Sequence, residues 1–158
     1  MDTKIIIMRE ALNLFSLKGY NGTGIKEIVD NASVRKPTLY YYFGNKEGLL
    51  DEILKFHLIP FINEFKLTAH YEYDLKKPLT ELLKLNFLLA EKSPEFFRMY
   101  ISMAAEAPDT VSNAKVKPYS LQIYYIIENL FKQAAVNFGN MKKRHQEYAV
   151  SFMGLLNT

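Results

Sequence analysis

Apolar residues recur along this chain at the three- and four-residue spacing of α-helices. Residues 3–18 show the pattern clearly, because four of their apolar side chains share one helical face: Ile5, Met8, Leu12 and Phe15. No stretch alternates convincingly between apolar and polar residues with the period of two that marks a β-strand. The sequence therefore predicts an all-α fold.

Glycine, proline and serine indicate where the predicted helices begin, bend and end. Gly19 suits the C-terminus of the first helix, and the glycine-rich residues 19–24 predict a loop. Ser93 should cap the sixth helix, whereas Pro60 and Pro118 should kink or interrupt the helices that contain them. The predicted helices span approximately residues 3–18, 25–31, 35–42, 46–68, 78–92, 94–106, 109–138 and 141 onward.

Residues 25–43 predict two short helices that cannot bury their apolar faces alone. In the first, the side chains expected to face inward are Ile25, Ile28, Val29 and Ala32. In the second they are Leu39, Tyr42 and Phe43. The helix over residues 3–18 supplies the third partner, which gives the three-helix arrangement of a helix-turn-helix DNA reader.

The outward face of the second short helix carries groups that suit DNA. Lysine and arginine reach guanine edges or phosphates, hydroxyl groups reach phosphates, and apolar atoms meet the thymine methyl group. Backbone N–H groups at the head of the first short helix suit a phosphate, and Lys46 offers another contact to the DNA backbone. The predicted DNA-binding residues are Thr23, Gly24, Arg35, Lys36, Pro37, Thr38, Tyr40, Tyr41 and Lys46.

With these features, residues 3–55 resemble the DNA-binding domain of the TetR family of repressors. That family's signature runs from a Gly-Tyr/Phe-x-x-Thr loop, through an Ile-Ala…Ala-Gly-Val turn, to a Leu-Tyr-x-x-Phe segment and a Lys-Glu-x-Leu/Phe-Leu close. The matching residues are Gly19-Tyr20, Thr23, Ile28, Ala32, Val34, Lys36, Thr38, Leu39-Tyr40-Tyr41-Tyr42-Phe43 and Asn45-Lys46-Glu47-Gly48-Leu49-Leu50. The resemblance covers about a third of the chain.

Four features depart from the family's pattern. Gly24 replaces a hydroxyl residue, and Val29 replaces a smaller alanine, which should alter the helix spacing slightly. Ser33 replaces the turn glycine and must adopt a tight backbone conformation at some cost. The chain also ends where the second long terminal helix of the family should begin, so the C-terminal helix is expected to be short or missing, or dimerisation to be unusual.

The resemblance implies two domains and a regulatory function. Residues 1–45 would form the helix-turn-helix domain, and residues 46–158 a helical domain for ligand binding and dimerisation. The protein would be a homodimeric, ligand-responsive transcriptional repressor that binds a palindromic operator in double-stranded DNA. A small apolar or amphipathic effector would release it.

The body behind the helix-turn-helix is rich in aromatic residues and methionine, which suits either an ordinary core or an apolar effector pocket. Neither reading is excluded by the sequence. The candidate effector-binding residues are Phe61, Phe65, Asn86, Tyr100, Met103 and Tyr124.

The amino-acid composition excludes several kinds of functional site and indicates where in the cell the protein is expected. The absence of cysteine excludes disulfides, thiolate catalysis and cysteine-based zinc sites. His57, His70 and His145 lie far apart along the chain, so no metal site is expected. No nucleophile triad or paired-carboxylate motif is recognisable, which predicts no enzyme activity and no cofactor. With neither an apolar run of about 18 residues nor a signal peptide, we expect a cytoplasmic protein that does not span a membrane.

Net charge permits nucleic-acid binding without demonstrating it. The formal charge is +3, and residues 1–50 carry seven cationic and five acidic side chains. The main alternative is a helical small-molecule or protein-binding module that has lost operator recognition, which Gly24 and Ser33 favour. Selection from random DNA distinguishes the two, because only an operator-binding protein should enrich a palindrome.

Overall fold

The computed structural model describes residues 2–138, 141 and 143–157. Within these residues all regular secondary structure is helical, apart from turns, and no strand occurs. The fold is therefore all-α, as predicted. The helices are α1 (Thr3–Lys18), α2 (Ile25–Asn31), α3 (Lys36–Phe43), α4 (Lys46–Thr68), α5 (Lys76–Lys92), α6 (Pro94–Ala104), α7 (Val111–Asn137) and α8 (His145–Leu156).

Polar residues just before the helices explain several of their starting points. Asp2 Oδ1 accepts a hydrogen bond from the Lys4 N–H at 3.0 Å, and Asn45 Oδ1 accepts one from the Gly48 N–H at 2.8 Å. Each bond satisfies an N–H that has no partner inside the first helical turn. Ser93 lies at the N-cap of α6, but its side chain makes no capping hydrogen bond. Ser93 therefore has the expected position, but the expected hydroxyl cap is wrong.

Two helices continue through an internal proline. Pro60 lies inside the 23 residues of α4, and Pro118 lies inside the 27 residues of α7. Proline lacks an N–H, so each removes one backbone hydrogen bond. The expected interruption does not occur, because one missing bond does not end a helix that has many others.

The chain divides into two compact units, and both prolines lie beside the division. The first unit contains Met1–Leu58 and Ser93–Lys117, and the second contains Ile59–Lys92 and Pro118–Thr158. Compactness is a different property from function, so the functional boundary expected between residues 45 and 46 stays a prediction.

In the first unit, α1 packs against α2, α3 and α6. The inward residues predicted for α2 are confirmed at Ile28 and Val29, which are buried. The core is completed by other buried side chains, among them Ile7, Ala11, Phe15, Leu39, Leu49, Leu50, Ile53, Leu54 and Phe96. Burial of this apolar area is what holds two helices as short as α2 and α3 in place.

The second unit has its own apolar core and a buried carboxylate. Its buried side chains include Ile62, Phe65, Leu82, Ile127, Leu130, Ala149, Phe152 and Leu156. Glu128 is buried in α7, where its carboxylate lies 3.2 Å from Lys132 Nζ and 3.7 Å from His145 Nε2. The Lys132 ammonium group offsets part of the cost of removing that charge from water.

Candidate nucleic-acid interface

The side chains of α3 divide into a buried set and an exposed set. Leu39 is fully buried, and Phe43 is buried one helical turn later. The exposed set contains most of the residues predicted to meet DNA. We call this surface the reading face, and its members are the exposed Arg35, Lys36, Pro37, Tyr40 and Tyr41 and the half-buried Thr38.

Tyr41 is the most open aromatic of the reading face, with 84% of its surface exposed. Tyr42 was expected to face inward, but it is 37% exposed, and its ring meets the Tyr41 ring edge-on at 5.1 Å. The prediction for Tyr42 is wrong, because at about 100° per residue it falls beside the stripe that Leu39 and Phe43 occupy. The prediction for Phe43 is confirmed.

A tight turn between α2 and α3 sets the angle at which the reading face is presented. The Ser33 N–H donates to the Asp30 carbonyl at 3.1 Å, and the Val34 N–H donates to the Val29 carbonyl at 2.9 Å. Ser33 has a φ of +54°, which lies in the left-handed region. The expectation that Ser33 must adopt a strained turn conformation is confirmed.

At the head of α2, Gly24 and Thr23 have opposite environments. Gly24 is exposed, and a Cβ built on it would meet no atom within 4 Å. Thr23 is only 1% exposed, with its hydroxyl donating to the Gly19 carbonyl at 2.9 Å and its N–H to the Tyr20 carbonyl at 3.3 Å. Thr23 therefore stabilises the loop from inside, and the phosphate contact expected of it stays a prediction.

Lys46 is also engaged within the protein. Its Nζ donates to the Tyr20 carbonyl at 2.9 Å and to the Thr23 carbonyl at 3.0 Å, and it lies 4.2 Å from the centre of the Tyr20 ring. Burial lowers the pKa of Lys46 from its ordinary value. The structure thus gives this lysine internal partners, where the sequence suggested a contact to DNA.

This three-helix reader can be compared with known families. Residues 7–53 match the family model TetR_N, described as "Bacterial regulatory proteins, tetR family". The chain therefore contains a TetR-family N-terminal domain. Since that family consists of regulatory proteins and not of enzymes, the expectation of no enzyme activity is confirmed.

Individual relatives and solved structures are similar to larger parts of the chain. The biofilm operon icaADBC negative transcriptional regulator IcaR of Staphylococcus epidermidis is 29% identical over 118 residues, which are 74% of this chain and 60% of IcaR. A candidate fatty acid metabolism regulator of Clostridium perfringens has a TM-score of 0.79 at 26% identity, over 96% of this chain and 81% of that one. PfmR of Thermus thermophilus shares the fold, with a TM-score of 0.76 at 21% identity over 96% and 80% of the two chains.

The structure does not bring the six effector candidates into one unit. Tyr100 and Met103 belong to the first unit, whereas Phe61, Phe65, Asn86 and Tyr124 belong to the second. Met103 and Phe65 are buried, and Asn86 Nδ2 already donates to the Leu156 carbonyl at 2.7 Å. The effector assignment stays a prediction.

Two cavities are lined by other residues. One, of about 210 Å³, lies between α1 and α4 and is lined by Ile5, Met8, Arg9, Leu12, Ile53, Phe56 and His57. The other, of about 490 Å³, is lined by Thr68, His70, Glu72, Asp74, Lys77, Pro78 and Glu81. In the smaller one, burial lowers the pKa of His57, whose ring stacks on Phe96 at 4.2 Å.

Sequence reasoning missed Lys26 as a candidate for the interface. Its side chain is exposed in the first turn of α2, two residues after Gly24. The signal was present in the sequence, because Lys26 falls nearly opposite the buried Ile28 on a helical projection.

Two kinds of site are absent from the described residues. Within residues 2–138, 141 and 143–157, no group of three or more histidine, aspartate or glutamate side chains is arranged to hold a metal ion. Over the same residues, none of the helices combines the length and the apolar character needed to cross a membrane.

Proposed function

We propose that this TetR-family chain is a ligand-responsive transcriptional repressor that binds a palindromic operator as a homodimer. The single observation that carries the proposal is the reading face. Arg35, Lys36 and Tyr41 are exposed together, over a helix anchored by the buried Leu39. A helix that enters the major groove needs this combination of a fixed inner side and a cationic, hydroxyl-bearing outer side.

Each part of the reading face has a chemistry that fits DNA. Lys36 and Arg35 lie at the N-terminal end of α3, the end that helix-turn-helix proteins direct at base edges. Their charges attract phosphates and can pair with guanine. The hydroxyl groups of Tyr40 and Tyr41 suit phosphate oxygens, and the exposed Pro37 offers apolar atoms to a thymine methyl group.

The test is the double variant Lys36→Ala with Tyr41→Ala. Operator fragments are first enriched from random DNA, and affinity is then measured by gel-shift titration at a fixed salt concentration. If each contact contributes about 1–3 kcal/mol, the double variant should bind about 100-fold more weakly. The matched control is Lys92→Ala with Tyr73→Ala, which removes the same two exposed side-chain types from the second unit and should bind like the wild type.

Two results would contradict the proposal. Unchanged affinity in the double variant, with the helical circular dichroism signal intact, would show that the reading face is not the DNA contact. Failure of the wild-type chain to enrich any palindrome would favour the alternative, a binding module without operator recognition.

Homodimerisation is proposed from exposed apolar side chains on α7 and α8. Leu121, Tyr125 and Val136 are exposed and lie four and eleven residues apart, so they follow one stripe of α7. Val150 of α8 is exposed as well. A second copy of the chain presents the same apolar patch, and a two-fold interface joins like to like.

Analytical ultracentrifugation tests the dimer. Tyr125→Glu with Val136→Glu would place two charges in the interface and should convert a dimer into a monomer, with weaker operator binding. Leu17→Glu is the control, since Leu17 is an exposed apolar residue of α1 in the other unit. A wild-type monomer, or a dimer that the double variant leaves intact, would contradict this part of the proposal.

Repression and its release by an effector complete the proposal. The relative IcaR is named a negative regulator, which favours repression. An effector can weaken operator binding only if it prefers the conformation that does not fit DNA. A tenfold loss of affinity then needs about 1.4 kcal/mol of coupling. Because a bacterial repressor must reach its DNA, the proposed location is the cytoplasm.

The effector site can be probed with decanoate as an amphipathic test molecule. We expect decanoate to weaken the operator complex of the wild type and to do so less in Phe61→Ala or Tyr124→Ala. Equal sensitivity in wild type and variants would remove these two residues from the proposed pocket. Loss of operator binding in the absence of decanoate would instead identify them as structural.

A further inference from the structure

The loop over residues 19–24 is bonded to the ammonium group of a lysine at the start of α4. Lys46 is the first residue of α4, and it donates to two carbonyls of this loop, those of Tyr20 and Thr23. The Tyr20 ring lies against the same ammonium group. We call this arrangement the lysine staple: Lys46 Nζ, the carbonyls of Tyr20 and Thr23, and the Tyr20 ring.

Tyr20 and Thr23, whose carbonyls bond to Lys46, are themselves held in place by other contacts. The Tyr20 side chain is buried and its ring lies 5.4 Å from the ring of Phe15 in α1. Thr23 is buried and bonded through its hydroxyl to Gly19. Gly22 lies so close to the Lys18 carbonyl that a Cβ would collide with it. The loop therefore has little freedom, and Lys46 joins a defined structure to the start of α4.

The staple ends directly before α2. Thr23 is followed by Gly24, the N-cap of α2, and α2 leads through the Ser33 turn to the reading face. A displacement of the first turn of α4 would therefore be carried by Lys46 to the head of α2. This path lies entirely inside the first compact unit.

The chemistry of the staple separates Lys46 from the exposed cations. An ammonium group has three N–H donors, and two of those of Lys46 are used by backbone carbonyls at hydrogen-bond distance. It is half-buried beside an aromatic ring, and burial lowers its pKa. Lys36 and Lys26, by contrast, have exposed side chains that can meet phosphates.

We propose that Lys46 is a positioning residue for DNA binding, which sets the head of α2 relative to α4 and does not neutralise a phosphate. This inference rests on the proposed function, since it assigns a role in operator binding. It predicts a specific signature. Loss of a phosphate contact reduces the salt dependence of binding, because one fewer counterion is released. Loss of a positioning contact lowers affinity and leaves the salt dependence unchanged.

The experiment compares Lys46→Met with Lys36→Met, because methionine keeps a long apolar side chain without N–H donors. Operator affinity of each full chain is measured at several salt concentrations, and log Kd is plotted against log salt concentration. For Lys46→Met we expect about tenfold weaker binding with the wild-type slope. For Lys36→Met we expect the magnitude of the slope to fall by about 0.9. A fall of that size in Lys46→Met, or wild-type affinity, would overturn the inference.

Amide hydrogen exchange of the free protein provides a readout that does not depend on DNA. Lys46→Met should exchange faster at residues 20–25, and Lys46→Arg, which keeps several donors, should retain protection and affinity. Unchanged exchange in Lys46→Met would also overturn the inference. If Lys46→Met does not fold, Lys46→Gln, which keeps a neutral donor group, is measured in the same way. Salt-independent or absent binding by the wild type would instead contradict the proposed function itself.

Discussion

The reading face and the lysine staple place similar residues in opposite environments. Each contains a lysine and a tyrosine at positions where the sequence matches the TetR-family pattern. On the reading face, Lys36 and Tyr41 are exposed to solvent. In the staple, Tyr20 is buried and Lys46 is bonded to carbonyls. The comparison shows that a lysine in a DNA-binding motif can be engaged by backbone carbonyls of its own protein. Its position in the motif alone does not make it available to DNA.

The largest expected effect comes from shortening the buried side chain on which the reading face rests. Leu39 is fully buried under α3, so Leu39→Ala leaves a cavity and loses apolar burial. We expect the free energy of unfolding to fall by about 3 kcal/mol, measured by urea denaturation. Operator binding should weaken to the extent that the native state is depopulated, and a stabilising osmolyte should restore both.

The matched change on the exposed side is Tyr40→Ala, one residue along the same helix. Tyr40 is exposed, so its loss should change stability by less than about 0.5 kcal/mol while weakening DNA binding. Equal loss of stability in the two variants would show that α3 does not have separate supporting and reading sides.

Removal of the Thr23 hydroxyl tests the staple in the corresponding way. Thr23→Val keeps the shape of the side chain but leaves the Gly19 carbonyl without its hydroxyl donor. Because the position is buried, we expect a loss of about 1–2 kcal/mol in the free energy of unfolding. Thr23→Ser restores the donor and is the control. An unaffected Thr23→Val protein would mean that water replaces the hydroxyl and that the loop does not depend on it.

The sequence predicted the reading face well because its information is local. Glycine and proline fix the ends of α1 and α3, and helical spacing places Tyr41, two residues after Leu39, nearly opposite that buried side chain. The direction of the Tyr20 and Thr23 carbonyls cannot be read from the neighbouring residues. It depends on how the loop over residues 19–24 meets α4, so the sequence could not predict that Lys46 bonds to these carbonyls.

For a related reason, the sequence could not show whether the effector candidates share a pocket. They were selected by side-chain type, since aromatic residues and methionine suit an apolar pocket as well as a core. Spacing along the chain does not reveal which helices approach one another across a compact unit. Tyr100 and Phe61 illustrate this, because the structure places them in different units.

An ion pair between α1 and α4 gives the stability of the first unit a pH dependence. Lys4 Nζ lies 2.7 Å from Glu52 Oε2, and Lys55 Nζ lies 3.2 Å from Glu52 Oε1. The hydrogen bonds from Lys4 and then Lys55 lower the pKa of Glu52 from its ordinary value of 4.5. Because the folded state holds the charged form, this stabilisation is present above pH 4.5 and is lost as the pH falls through the lowered pKa.

Glu52→Gln should therefore reduce stability at pH 7 by less than about 1 kcal/mol, since the pair is partly exposed. The variant and the wild type should converge at low pH. Urea denaturation at pH 7 and at successively lower pH values measures both. Glu91→Gln is the control, because Glu91 is an exposed carboxylate of α5. A stability difference that persists at low pH would indicate a packing role for Glu52 instead of an ion pair.

Substitution of Gly24 should give the smallest change in stability. It is also a sharp test of the comparison, because Gly24 lies between the lysine staple and the helices that lead to the reading face. It follows the buried Thr23 yet is exposed, with space for a side chain. Gly24→Ser would supply the missing N-cap oxygen to α2, which should raise the free energy of unfolding by a few tenths of a kcal/mol. Its hydroxyl would also be free to meet a phosphate, so operator affinity should rise about two- to threefold. Gly24→Ala adds bulk without a hydroxyl and should show neither gain. Equal affinity in the serine and alanine variants would place the head of α2 away from DNA, and the contact surface would then be α3 alone.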